Sequence, residues 1–197
     1  MSFCFLFLHR LDFKGFDRYN PGQYIFLYIP SISWVSVHPF SLITCPQLTS
    51  TASVLIEVKS GWTKKLQNNL LEGKELIRSV WIDGAYGNLN IPFFMELPLV
   101  VCVAGGIGIA PIMSLIKSLH VQDTKRTNRV LLIWSCRTQE LFTEFADEMG
   151  AIVNREDNIT SLQLYHTGDT AMETPLEQIG SNSNAFYSSF LPGKPNL

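Results

Sequence analysis

The sequence predicts a chain in two parts, an all-β barrel over about residues 1–96 and a parallel α/β domain over about residues 97–197. Three observations carry this reading. The first half consists of short apolar or alternating runs punctuated by Pro and Gly. From Leu99 the pattern changes to strands alternating with helical periodicity. At 46% hydrophobic and 16% charged, the 197 residues are enough for two small cores and too apolar for a disordered chain.

Gln23–Ile29 reads as a strand between Pro21-Gly22 and Pro30, and Phe40–Thr44 as a second that stops at Cys45-Pro46. Val54–Val58 and Ser79–Asp83 supply two more. Between them Gly61-Trp62-Thr63 opens a short helix with Trp62, Leu66 and Leu70 along one side. The opening apolar run Met1–Leu8 lacks the basic start and small-residue cleavage site of a signal peptide, and is expected to be a buried strand. No other segment approaches the ~20 apolar residues of a membrane span.

In the second half Leu99–Ala104 is continuously apolar, the pattern of a parallel strand covered on both faces. A helix is expected around 111–120, with Ile112, Leu115, Ile116 and Leu119 on one face. Val130–Trp134 is the second strand, and a helix over about 139–149 carries Leu141, Phe142, Phe145 and Met149 at helical spacing. Ser161–Tyr165 is a third strand, and the Ser/Asn/Gly/Pro-rich stretch 180–197 reads as loop.

Composition removes several function classes. The net charge is −2, from 15 Lys and Arg against 17 Asp and Glu, and no basic block exceeds a pair. Nucleic-acid binding needs a clustered positive face and is excluded on that ground. The four cysteines, at 4, 45, 102 and 136, form no CxxC and have no nearby His at ligand spacing. They read as buried thiols of a reducing compartment, with no metal site.

Two short motifs could carry chemistry. Gly105, Gly106 and Gly108 follow the 99–104 strand and precede a helix, which is where a backbone can approach a pyrophosphate without Cβ obstruction. Alone, such a turn also joins strand to helix in many proteins that bind nothing. His38-Pro39-Phe40-Ser41 offers an imidazole, a fixed backbone, a flat apolar ring and a hydroxyl on the opposite side of the strand. Alone, these also read as ordinary strand residues.

Six motifs in order make a larger pattern: Pro21-Gly22-Gln23-Tyr24, His38-Pro39-Phe40-Ser41, Gly61-Trp62-Thr63, Asp83-Gly84-Ala85-Tyr86-Gly87, Ala104–Pro111 and Trp134-Ser135-Cys136-Arg137. From about residue 20 onward the chain resembles the dehydrogenase half of the ferric-chelate reductase and NADPH oxidase family, within the ferredoxin–NADP reductase superfamily. The resemblance implies an FAD-binding barrel followed by a Rossmann-like NADPH-binding domain. It implies that His38, Pro39, Phe40 and Ser41 contact FAD, with the Ser41 hydroxyl near flavin N5 as the catalytic group. It places the FAD pyrophosphate at Gly61, Trp62 and Thr63, and NADPH at Gly105, Gly106, Gly108 and Pro111. Arg137 matches an arginine suited to the adenosine 2′-phosphate, and otherwise reads as a solvated loop residue. The activity implied is NADPH:acceptor oxidoreduction through FAD, toward a heme or ferric chelate, or dioxygen. In intact relatives the partner is a heme-bearing transmembrane domain, and the module lies on the cytosolic face of a membrane.

Departures from the family pattern are specific. Ala85 replaces the family's Pro, and Glu57 stands where a basic residue is usual near the FAD phosphates, with Lys59 as a compensating cation. The first barrel strands and the segment carrying the family's terminal Cys beside the nicotinamide are not matched, so a chain truncated at both ends is expected. The Gly61–Lys65 and Ala104–Pro111 stretches look closer to the ferric-reductase branch. Two other readings stay open: a soluble flavin reductase without heme partner, and a non-catalytic remnant of the family.

Overall fold

The computed structural model describes residues 8–71, 79–89, 94, 96–121, 129–153, 160–168 and 190–192. In the first half, β1 (Leu8–Lys14) pairs antiparallel with β4 (Thr51–Glu57). β2 (Tyr24–Tyr28) lies between β3 (Val37–Ser41) and β5 (Trp81–Tyr86), antiparallel to both. A bridge between Leu42 and Val54 joins the two groups, and the Ile43 N–H donates to the Ser53 carbonyl at 2.9 Å. The described strands thus surround one apolar interior in which Ile25, Leu27, Leu42, Val54 and Ile56 have no solvent exposure. Helix α1 (Trp62–Leu71) closes this interior with Trp62 and Leu66.

The expected strands at 23–29 and 54–58 fall within three residues of β2 and β4 at each end. The strand expected over 40–44 is found earlier, as Val37–Ser41, and the one expected over 79–83 runs Trp81–Tyr86. The first shift has a cause: residues 42–44 leave β3 to bridge β4 and meet the second half. Of the strand expected at the start of the chain only Leu8 is described, and it opens β1.

The second half runs β6 (Leu99–Gly105), a 3₁₀ turn (Gly106–Gly108), α2 (Ile109–Val121), β7 (Arg129–Cys136), α3 (Gln139–Val153), β8 (Thr160–His166) and β9 (Phe190–Pro192). The strands are parallel in the order β6-β7-β8-β9. The 180–197 stretch is therefore not all loop, because Phe190–Pro192 adds a strand to β8; the rest of it lies outside the described residues.

Sheet order follows chain order here, so right-handed crossovers put successive connections on one face. Met113 and Ile116 of α2 and Phe142 and Phe145 of α3 accordingly pack with Val100, Cys102, Val130, Leu132 and Trp134. The other face of β6 is not covered as expected: Leu99, Val101 and Val103 are each about half exposed, at 51%, 52% and 52%. The unbroken apolar run thus hides a strict alternation of buried and exposed residues.

The core of the second half also takes in Leu8, Ile43 and Leu55 from the barrel. Cys45, Cys102 and Cys136 are buried free thiols. Among the described residues no helix is long and apolar enough to cross a membrane, and no cluster of His, Cys, Asp and Glu could hold a metal ion.

Trp134 and Phe142 anchor the core of the second half, both fully buried, with rings edge-on at 4.7 Å. Phe142→Ala should lower the unfolding free energy by about 3–5 kcal/mol, since the site loses both the transfer energy and its edge-on partner. Urea denaturation measures this, and a loss below ~1 kcal/mol would show that the cluster is not the core.

Candidate functional site

Strand alternation divides the His38–Ser41 run between two faces. His38 and Phe40 lie opposite Leu27 and Ile25, both fully buried, so their rings face inward. There they meet Trp62, the first residue of α1, at centroid distances of 4.7 Å and 5.8 Å. Pro39 and Ser41 lie on the other face, opposite Phe26 and Tyr24. On that face Tyr24, Phe26 and Tyr86 pack edge-on or tilted, 5.6–6.0 Å apart. The Tyr86 hydroxyl donates to Asp83 at 2.9 Å, and this bond raises the phenol pKa above its ordinary value.

The inward group carries an unusual feature. His38 Nε2 and Trp62 Nε1 are both buried without a hydrogen-bond partner. A buried polar atom left unpaired costs about 1–3 kcal/mol, and here two sit side by side at a helix start. They suit a ligand that brings its own oxygens, as the phosphates and ribityl hydroxyls of FAD do. The start of α1 is shaped for the same purpose. Gly61 has φ +59°, and a Cβ there would meet nothing within 4 Å, so the backbone can be approached closely. Thr63 Oγ1 accepts the Lys59 N–H at 3.0 Å and donates to the Ser60 carbonyl at 3.2 Å, fixing the turn into the helix.

A cleft of about 650 Å³ lies between the two halves. The barrel contributes Glu57, the last residue of β4, and Lys59, from the link to α1; the second half contributes Gly105, Gly106, Ile107, Ser135, Cys136, Arg137, Thr138, Leu141 and Thr167. The glycine turn is held from behind, where Trp134 Nε1 donates to the Gly106 carbonyl at 2.9 Å. A Cβ at Gly105, Gly106 or Gly108 would meet no described atom within 4 Å, so the loop presents bare backbone to open space. The 136–138 turn is pinned by the Thr167 N–H on the Cys136 carbonyl (2.8 Å) and by His166 Nε2 against the Arg137 carbonyl (3.2 Å). This leaves the Arg137 side chain exposed at the carboxyl end of β7, where parallel sheets bind ligands.

The cleft therefore brings together Gly105, Gly106 and Arg137 of the residues expected from sequence. Gly108 ends the 3₁₀ turn and Pro111 sits in the first turn of α2, where its missing N–H costs nothing; neither lines the cleft. Ser135 stands in the Trp134–Arg137 motif but was given no role of its own, and Thr138 and Thr167 were missed, their only signal being their place just past the carboxyl ends of β7 and β8. Glu57 does not stand as a bare repulsive charge: its carboxylate is 3.2 Å from Lys59 Nζ.

Comparison with known proteins finds matches for each half. Residues 8–90 match a family model described as an FAD-binding domain, and residues 98–192 match one described as a ferric reductase NAD binding domain. NADPH oxidase 4 of Homo sapiens is 32% identical over 198 residues, covering 89% of this chain and 33% of its own length. A superoxide-generating NADPH oxidase heavy chain of Dictyostelium discoideum is 30% identical over 216 residues, covering 92% of this chain and 30% of its own. The chain spans about a third of the length of these curated relatives. Among solved structures, the flavohem-like FAD/NAD binding domain of a nitric oxide dioxygenase from Vibrio cholerae superposes with a TM-score of 0.66 at 16% identity, over 97% of this chain and 74% of its own. Ferredoxin-NADP+ reductase from Plasmodium falciparum gives 0.64 at 15% identity, over 81% and 66%.

Fold and site together define a flavin- and nicotinamide-nucleotide-binding module with the ferredoxin–NADP reductase fold. Within that class, the chain belongs to the ferric reductase and NADPH oxidase family of flavoproteins. Its cofactors are FAD and NAD(P)H.

Gly105→Val tests the loop cleanly. Gly105 has φ −122° and ψ 126°, which any residue adopts, and the added side chain meets only the space of the cleft. The variant should keep its melting temperature and FAD affinity while its NADP+ dissociation constant rises at least about tenfold. Isothermal titration of the folded variant with parent-like NADP+ affinity would refute the assignment.

Proposed function

We propose that this chain carries electrons from NADPH through FAD to a heme-linked acceptor, with a flavin half to about residue 96 and a nucleotide half from about residue 97. The observation that carries the reading is the cleft itself. It joins the end of β4 and Lys59, three residues ahead of Trp62, to the glycine loop and Arg137. One ligand bound from each side would meet there.

The redox chemistry, hydride acceptance followed by release of single electrons, is supplied by the bound flavin. The chain's residues bind and orient. His38 and Trp62 offer their unpaired nitrogens to phosphate or ribityl oxygens, and Phe40 supplies an apolar wall. Ser41 provides a hydroxyl at flavin N5. Gly105 and Gly106 admit the NADPH pyrophosphate against backbone, and Arg137 neutralises the 2′-phosphate with a planar guanidinium. Lys59 faces the same cleft and adds a second cation, already partnered by Glu57.

The partner in this reading is a heme-bearing transmembrane domain, with the module on the cytosolic face of its membrane. The relatives' names support dioxygen as terminal acceptor over the ferric chelate toward which the sequence leaned. Anaerobic mixing of the FAD-loaded chain with NADPH tests the core of the proposal: the flavin absorbance should bleach in one turnover. A chain that binds both nucleotides without bleaching would overturn it.

Arg137→Ala should weaken NADPH by about 1.5–3 kcal/mol, one to two decades, and leave NADH nearly unchanged. The ratio of the two dissociation constants, parent against variant, is the quantity to measure. A parent that holds NADH as tightly as NADPH would return Arg137 to the solvated loop.

Ser41→Ala removes a hydroxyl from the outer, half-buried face of β3 without touching the core. Flavin reduction at saturating NADPH should slow by the equivalent of about 1–3 kcal/mol, with the barrel still folded. Stopped-flow traces that overlay those of the parent would remove Ser41 from the flavin site.

A further inference from the structure

Helix α2 begins at the glycine loop, and its middle is bonded to the barrel. Ser114 Oγ donates to the Thr44 carbonyl at 2.5 Å, and Lys117 Nζ donates to the Ile43 carbonyl at 3.2 Å. Those two carbonyls lie two and three residues beyond Ser41, on the stretch that leaves the flavin strand. One helix therefore has the glycine loop at its start and the continuation of β3 against its side.

The contact is buried and braced on both sides. Ser114 is fully buried and Thr44 nearly so. Within the barrel Thr44 Oγ1 bonds Tyr19 Oη at 2.7 Å and accepts the Ser53 N–H at 3.0 Å, so the Thr44 backbone cannot shift freely. On the other side Lys117 also reaches Glu148 Oε1 of α3 at 3.1 Å, and the same oxygen lies 3.4 Å from Arg10 Nη1 of β1. Arg10 is in addition 3.8 Å from Glu144. Two barrel segments and two helices thus converge on one polar cluster with side chains largely out of solvent.

We propose that Ser114 and Lys117 are positioning residues that set the angle between the flavin and nucleotide halves, and so the approach of nicotinamide to flavin. The inference rests on the function proposed above. Hydride transfer requires reacting atoms within about 3–3.5 Å, and small rotations of one half against the other carry the rings out of that range. Apolar contacts of Leu8, Ile43 and Leu55 hold the halves together but tolerate sliding. Directional bonds to two consecutive carbonyls do not, because any rotation leaves buried oxygens unpaired.

The test uses the full chain in a Cys4→Ser background, spin-labelled at the exposed positions Ser31→Cys in the barrel and Ala151→Cys in α3. The parent should give a narrow distance distribution. Lys117→Met and Ser114→Ala should each broaden it and slow flavin reduction about tenfold at saturating NADPH, with FAD and NADP+ dissociation constants within about twofold of the parent. Lys117→Arg, which keeps the donor, should restore both readouts. If Ser114→Ala does not fold, Lys117→Met carries the test from a less buried site. Folded variants whose distribution stays narrow overturn the proposal, whatever their rate, as do variants that broaden yet reduce flavin at the parental rate. A parent that NADPH fails to reduce sinks the proposed function, while the distance measurement still reports on the clasp.

Discussion

Bare backbone turned toward an open cleft is the constraint around which the second half is arranged. The 105–108 turn must present backbone without Cβ at its glycine positions and yet not collapse. Glycine meets the first condition and works against the second, because it is the residue with the most conformational freedom to lose. Trp134 answers this from the neighbouring strand: its ring is locked edge-on against Phe142 and Phe145, and its indole N–H donates to the Gly106 carbonyl. The rigidity of a flexible loop thus comes from a packed core one strand away. The same core fixes the register of β7, whose carboxyl end delivers Ser135, Arg137 and Thr138 to the cleft.

The barrel solves a different problem with equally few parts. β3 must serve two faces at once, and its period of two does so without a bulge. Inward, His38 and Phe40 close on Trp62; outward, Ser41 joins Tyr24 and Tyr86. Immediately afterwards the chain gives up its place beside β2, bridges β4 at Val54, and turns its carbonyls toward α2. Residues 38–44 therefore serve in turn the two faces of β3, the bridge to β4 and the contact with α2.

Elements with a strong local cause were legible in the sequence. The glycine turn after an apolar strand, the helix opening at Gly61 and the Leu141–Met149 periodicity need no tertiary information, and each lies where it was expected. What was not legible depends on partners distant in sequence. Leu99, Val101 and Val103 look as buried as Val100 and Cys102 until the strand order shows which face the helices occupy. That Ser41 lies on the opposite side of the strand was legible from alternation alone, whereas the meeting of the His38 and Phe40 rings with Trp62 was not. Ser114 and Lys117 are two of four polar positions on a largely apolar helix, and no local rule says that a barrel carbonyl waits for either. Thr167 is visible as a loop residue but not as the donor that pins the arginine turn.

The placement of the tryptophans makes the molecule its own optical instrument. Of its four indoles, Trp34 and Trp81 stand in water at 80% and 66% exposure, while Trp62 and Trp134 are buried, one in each half. Water relaxes around an excited indole and reddens its emission, so the short-wavelength edge of the spectrum belongs to the buried pair. Trp62 touches the rings of His38 and Phe40, within energy-transfer distance of any flavin held there, and Trp134 is bonded to the glycine loop. Light collected at that edge reports the occupancy of one half and the stiffness of the other, with no label attached to the chain.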